Sequence, residues 1–125
     1  MRQSHAVAQA LATFFAKNAS GDLSTYDEVV SSEEAILAVG SSAREWFSGQ
    51  EAARGAYGLE GVLIDPGSVE AWGNGETGWA IAKPQFTIPG GQPFRLRFTA
   101  VFVREDDRWK LITSTARIRC RMRRR

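Results

Sequence analysis

The sequence predicts an α+β fold in which a curved antiparallel β-sheet packs on three N-terminal helices. Three observations point there. The chain opens with amphipathic helical patterning, passes through Glu45-Trp46-Phe47-Ser48-Gly49-Gln50-Glu51-Ala52, and closes with four consecutive strand-like runs ending at Arg119. Such a sheet must fold back over its helices to bury its apolar face, and its concave side usually encloses one pocket. A single domain, residues 1–120, followed by a basic tail, 121–125, accounts for the 125 residues, which suffice for one core without disulfides or metal.

Taken in order, Val7, Ala10, Leu11, Phe14 and Phe15 recur at three- and four-residue spacing between Ala6 and Phe15 and form one helical stripe, with Ser4 as N-cap. Gly21 supplies a stop, and Asp22 or Ser24 caps a second short helix carrying Leu23, Tyr26, Val29 and Val30. Ala35-Ile36-Leu37-Ala38-Val39 is too short for a stable helix and runs into Gly40-Ser41-Ser42, so it reads as a short strand. The alanine-rich stretch from Gln50 to Tyr57, closed by Gly58, reads as the third helix.

After Glu60 helical spacing gives way to alternation. Asn74-Gly75 is the strongest hairpin signal, because a type I′ turn needs two residues that tolerate positive φ. Pro89-Gly90-Gly91 and Glu105-Asp106-Asp107 mark further turns, leaving strands near 61–73, 77–88, 93–104 and 108–119 as an antiparallel meander. Large apolar residues fall on odd positions at Trp79 and Ile81 and on even ones at Phe86 and Ile88, which predicts a β-bulge at Lys83-Pro84 that bends the sheet. Phe94, Leu96, Phe98, Ala100 and Phe102 form one apolar face that must pack on the helices, opposite Arg95, Arg97 and Thr99.

Charge and cysteine content exclude several classes of function. Six of the 16 basic residues lie in the last nine positions, and removing them takes the formal charge from +2 to −4. The basic pI is thus a property of the tail, which reads as a solvated end; no specific nucleic-acid partner is expected. Cys120 is the single cysteine, so there is no disulfide framework and no thiolate cluster. No apolar run resembles a signal peptide or a membrane span, and a cytoplasmic location without membrane association is expected.

Ser20-Gly21-Asp22-Leu23 after the first helix, Trp46-Phe47-Ser48-Gly49-Gln50-Glu51-Ala52 entering the third, and Asp107-Arg108-Trp109-Lys110-Leu111 opening the last strand resemble the SnoaL-like branch of the nuclear transport factor 2-like superfamily, over roughly residues 5 to 118. The resemblance implies a cystatin-like cone, a curved sheet wrapped around helices, with dimerisation through the sheet's outer face. Its members include ketosteroid isomerases, polyketide cyclases, dehydratases and proteins that only bind ligands, so fold alone does not select a function. The resemblance places the isomerase's first-helix tyrosine at Phe14, its base aspartate near Val39 and its second acid near Ala100. The late-strand histidine of many relatives falls at about Thr115. An intact isomerase set is therefore not expected, since that chemistry needs a carboxylate base and two acids on the developing enolate.

The titratable residues that remain have ordinary structural explanations. His5, the only histidine, reads as a surface residue, and Asp27, Glu28, Glu33 and Glu34 as solvated acids. Tyr26, Tyr57 and Glu70 are the weak catalytic candidates, Glu70 with Lys83 as its potential inward partner. Cys120 lacks a histidine neighbour, and no ligand spacing suggests a metal or other cofactor. The aromatics are the positive feature. Phe14, Trp46, Tyr57, Trp72, Trp79, Phe98 and Ala100 are expected to line an apolar cone. The reading is a domain that binds a small hydrophobic molecule and forms a homodimer through its sheet face, with an enzyme of the isomerase, cyclase or dehydratase type, using a non-standard acid/base pair, as the alternative.

Overall fold

The computed structural model describes residues 1–20, 23–58 and 61–118. Expectations resting on Gly21, Asp22, Cys120 and the tail Arg121–Arg125 lie outside these residues. In chain order the elements are β1 (Arg2–Gln3), α1 (His5–Ser20), a 3-10 segment (Leu23–Glu28), β2 (Leu37–Val39), β3 (Trp46–Ser48), α2 (Gln50–Tyr57), β4 (Leu63–Asp65), β5 (Val69–Asn74), β6 (Thr77–Ala82), β7 (Gln85–Thr87), β8 (Phe94–Glu105) and β9 (Arg108–Ile118). The strands form one sheet in the order β1-β5-β6-β8-β9-β2-β3, with β7 beside β8 and β4 beside β7. Every pairing of these strands is antiparallel except that of β2 with β9, which is parallel. Among the described residues no helix is long and apolar enough to cross a membrane.

Helix α1 is the plug of this fold. The Val7 amide donates to Ser4 Oγ at 3.1 Å, so Ser4 caps the helix as its sequence position suggests. Val7, Leu11, Phe14, Phe15 and Asn18 are its buried residues, one stripe facing the concave side of the sheet. The second helix is instead a 3-10 segment. The Tyr26 carbonyl accepts from both the Val29 and Val30 amides. The chain then turns onto the edge of β9, where Ser31 N donates to Leu111 O at 2.8 Å and Leu111 N to Val29 O at 2.9 Å. That edge pairing ends the helix, and the described residues form two α-helices where three were expected. The α2 limits match the expectation to the residue.

The sheet bends in other places than the sequence suggests. β6 and β7 share one register against β8, with Ala82 opposite Phe98 and Gln85 opposite Arg95, so no residue is inserted at Lys83-Pro84. The insertion lies on the neighbouring strand. Between the pairs Asp65–Gln85 and Val69–Ala82, Pro66, Gly67 and Ser68 face only Lys83 and Pro84, and Gly67 takes φ 62°. A second irregularity follows Val101–Thr113, where Phe102 pairs with Leu111 and Ile112 is extra.

The misplaced bulge has a packing cause. Gly78, Ala80, Ala82, Pro84 and Phe86 all face inward and are buried, whereas Trp79 and Ile81 point outward. Small residues occupy the concave face because α1 sits against it; a Cβ on Gly78 would lie 2.8 Å from Val7 Cγ2 and 2.9 Å from the Trp72 carbonyl oxygen. Size was therefore a poor guide to facing on this strand.

The turns also differ in detail. Asn74 pairs with Thr77 and the loop is Gly75-Glu76, of which only Gly75 has positive φ, the pattern of a type II′ loop. The loop with two positive φ values is Asp106-Asp107, at 55° and 62° between paired Glu105 and Arg108.

Candidate functional site

A cavity of about 180 Å³ lies where the C-terminal ends of both helices meet the sheet. Phe14, Phe15 and Asn18 come from α1, and Ala56 and Tyr57 from α2. Ala38 and Val39 come from β2, Phe86 from β7, Phe98 from β8, and Ser114 and Ala116 from β9. Gly40 and Glu45, in the β2–β3 hairpin, complete the lining. The aromatic wall is interlocked. The Phe14 ring meets Tyr57 edge-on at 4.9 Å, and Phe15 meets Phe98 edge-on at 5.1 Å. A larger depression of about 310 Å³ on the outer face, lined by Lys83, Arg95, Leu96 and Arg97, is cationic and lacks this enclosing aromatic wall.

Three polar features interrupt the apolar lining. The Tyr57 hydroxyl and Ser114 Oγ share a hydrogen bond of 2.6 Å. Burial pushes the Tyr57 phenol well above its ordinary pKa, against the opposing effect of that hydrogen bond, so it is a neutral hydroxyl at any physiological pH. Asn18 is 2% exposed and its Nδ2 has no hydrogen-bond partner. Glu45 stands at the rim, where its Oε1 accepts from the Ser42 amide at 2.9 Å and its side chain lies over Gly40. The Tyr26 ring lies behind Tyr57, centroids 6.4 Å apart, with its buried hydroxyl also without a partner. Burial raises its pKa to about 12, although Arg54, 4.1 Å above the ring, acts in the opposite direction.

Of the expected pocket residues, the fold brings Phe14, Tyr57 and Phe98 to the cavity. Ala100 is buried in the core and does not line it. Trp46 is 64% exposed on the edge strand β3. Trp72 and Trp79 pair across β5 and β6 and stack on the outer face at 6.3 Å, opposite the cavity, because the concave side takes the small residues. Among the catalytic candidates, Glu70 is exposed on the outer face, as is Lys83, and no buried pair forms between them. His5 is exposed at the start of α1. Val39, where the resemblance put the base, does line the cavity, and Thr115 is exposed. Among the described residues no group of three or more His, Cys, Asp or Glu could hold a metal ion.

Asn18, Glu45, Phe15 and Ser114 were not foreseen at the site. Asn18 carried a readable signal, since it follows Phe14 by four residues and so continues the apolar stripe of α1 with a polar side chain. Glu45 had none, because its approach to the rim depends on the 40–45 hairpin, closed by Gly40 N to Glu45 O at 2.7 Å.

The geometry agrees with comparisons to known proteins. The chain is similar to a nuclear transport factor 2-like superfamily protein from Salmonella enterica, with a TM-score of 0.78, 11% identity and coverage of 92% of this chain and 89% of that one. It is similar to a dehydratase candidate of the same family from Streptomyces avermitilis, with a TM-score of 0.77, 18% identity and coverage of 93% and 96%. A cystatin-like protein of unknown function from Nostoc punctiforme matches with a TM-score of 0.75, 11% identity and coverage of 95% and 96%. At these identities the likeness shows the fold. No curated protein matches the sequence significantly. The sequence profile of the SnoaL-like domain matches residues 7–116, most of the chain, and the chain therefore belongs to the SnoaL-like domain family.

Proposed function

We propose that the chain binds a small, mostly apolar molecule in the cavity between Phe14, Tyr57 and Phe98, without an isomerase-type acid/base set. The observation that carries this reading is the cavity itself, about 180 Å³ with a wall of four phenylalanines and a tyrosine and one carboxylate at its rim. For scale, an engineered apolar cavity of about 150 Å³ holds benzene. Burying ~200 Å² of ligand at ~25 cal/mol/Å² gives about 5 kcal/mol before ordering costs, so a one- or two-ring molecule would bind with Kd on the order of a millimolar. A methyl-resolved NMR titration with indane tests it. Saturable shifts at Val39, Ala56 and Ala116 are expected, and they should vanish when Phe98→Arg fills and charges the site. Shifts confined to the outer face, or none at the solubility limit, would rule the reading out.

A second reading, an acid/base enzyme of the isomerase, cyclase or dehydratase type, has one observation in its favour, the Glu45 carboxylate on the same cavity as the Tyr57–Ser114 pair. The likeness to the Streptomyces avermitilis dehydratase candidate points the same way. Turnover abolished by Glu45→Gln with ligand affinity unchanged would select it over the binder.

We infer in addition that two copies pair through the outer face of the sheet. Trp72, Trp79, Ile81, Val101 and Val103 put exposed or half-exposed apolar surface there, more than a lone face benefits from leaving in water.

A further inference from the structure

We infer that a second site lies on the outer face of the sheet, a cationic row that binds the phosphodiester backbone of a nucleic acid without reading its bases. It is independent of the cavity and of what the cavity holds.

The register of the sheet builds the row. β6 and β7 keep one register against β8, with Ala82 opposite Phe98 and Gln85 opposite Arg95, so Lys83 stands opposite Arg97. Arg97 in turn pairs with Arg117 of β9. Lys83, Arg97 and Arg117 therefore follow one another across three strands at a spacing of about 4.8 Å. Arg95 lies two residues along β8 on the same face. All four are exposed, while Ala82, Pro84, Leu96 and Phe98 between them are buried.

Like charges directly opposite one another destabilise a sheet, and here nothing within the chain offsets them. Among the described residues none of the four forms an ion pair. Asp65, which borders the row, accepts from the Gly67 amide at 3.1 Å, and Glu70 lines an adjoining depression with Lys83 and Arg95 without bonding to either. Arg95 Nη1 donates to the Lys83 carbonyl oxygen at 2.7 Å, which fixes the guanidinium and leaves its other N–H groups for a ligand.

The arrangement selects the occupant. Lys83, Arg95 and Arg97 line a recess of about 310 Å³, which a flat bilayer surface cannot enter. A lone phosphate cannot touch both ends of a row that crosses three strands, whereas successive phosphates of one nucleic-acid strand can. Beyond Ile118 the sequence adds five arginines among residues 119–125, further charge for the same polyanion. Contacts to phosphates carry no sequence information. Val101 is four residues from Arg97 along β8, about 13 Å, so the row lies beside the apolar patch inferred to pair two copies.

Fluorescence anisotropy of the full chain with a labelled oligothymidylate and a mixed-sequence strand of equal length tests the inference. Both should bind within about twofold of each other, with log affinity falling linearly against log salt. Arg97→Gln should weaken both about threefold at low salt and reduce the salt slope by about 0.7, and combining it with Lys83→Gln and Arg117→Gln should reduce the slope by about 2. The same loss is expected from Arg97→Gln when Arg123, Arg124 and Arg125 are already glutamine, which separates the row from the tail. The melting temperature of Arg97→Gln should hold or rise, because like-charge contacts are removed; a fall would show that the arginine serves the fold and would overturn the inference. So would an absence of binding at low salt, wild-type affinity and slope in the triple variant, or row-dependent binding to phosphatidylserine vesicles and not to the oligonucleotides.

Discussion

Tyr26 and Tyr57 are the only tyrosines of the chain, and both are buried, at 1% and 5% exposure. Burial, the largest influence on each, raises both phenol pKa values, Tyr26 to about 12 and Tyr57 further. The unfolded chain ionises its tyrosines near 10. The folded state therefore holds more protons above pH 10, and its stability is complete below that pH and is lost as pH rises through about 12. Tyrosinate absorbance at 295 nm is expected to appear together with the loss of far-UV ellipticity. A phenol titrating near pH 10 in a folded chain would contradict the burial described. Residue identity alone made these two tyrosines candidates. It did not reveal that Tyr57 faces the cavity while Tyr26 backs it, which depends on the Leu23–Glu28 segment turning onto β9.

At the scale of elements, legibility followed local signals. Helix α2 was readable to its limits because Gly49 and Gly58 bound it on both sides. The end of α1 at Ser20 falls where the Gly21 stop signal puts it, although Ala16 to Ser20 add nothing to the apolar stripe that the spacing detects. The strand 77–88 was located, but its facing was inverted at Trp79 and Ile81, since a sheet that seats a helix closely puts glycine and alanine inside. Gly78→Ala tests that seat. Its Cβ would press on Val7 and the Trp72 carbonyl, and a loss of about 1–3 kcal/mol by chemical denaturation is expected. An unchanged midpoint would mean that α1 does not lie where described. The Asp106-Asp107 loop makes the opposite prediction. Replacing Asp107, at φ 62°, by glycine creates the preferred Asp-Gly sequence and should raise stability by about 0.5–1 kcal/mol.

For the whole molecule, the order of elements was enough to identify a curved sheet over helices, and the family match over residues 7–116 agrees. The cavity's composition was less accessible, because it draws on six separate elements and the β2–β3 hairpin. Its position between helix ends and β7 to β9 emerges only once the sheet is curved. The same curvature leaves the convex face with Trp72 and Trp79 stacked across neighbouring strands and Val101 beside them, opposite Trp79. Light scattering after gel filtration should give twice the chain mass of 13.8 kDa, and Val101→Asp should give a folded monomer. A wild type that is monomeric at micromolar concentration would remove the dimer from this account.

The central claim is that the space between Phe14 and Phe98 is a ligand site for a small, mostly apolar molecule. A crystal structure of the protein soaked with indan-1-one tests it most directly. The account predicts the ring system packed between those phenylalanines. Indan-1-one seated on the outer sheet face, or a cavity closed by repacked side chains with no ligand in it, would contradict it.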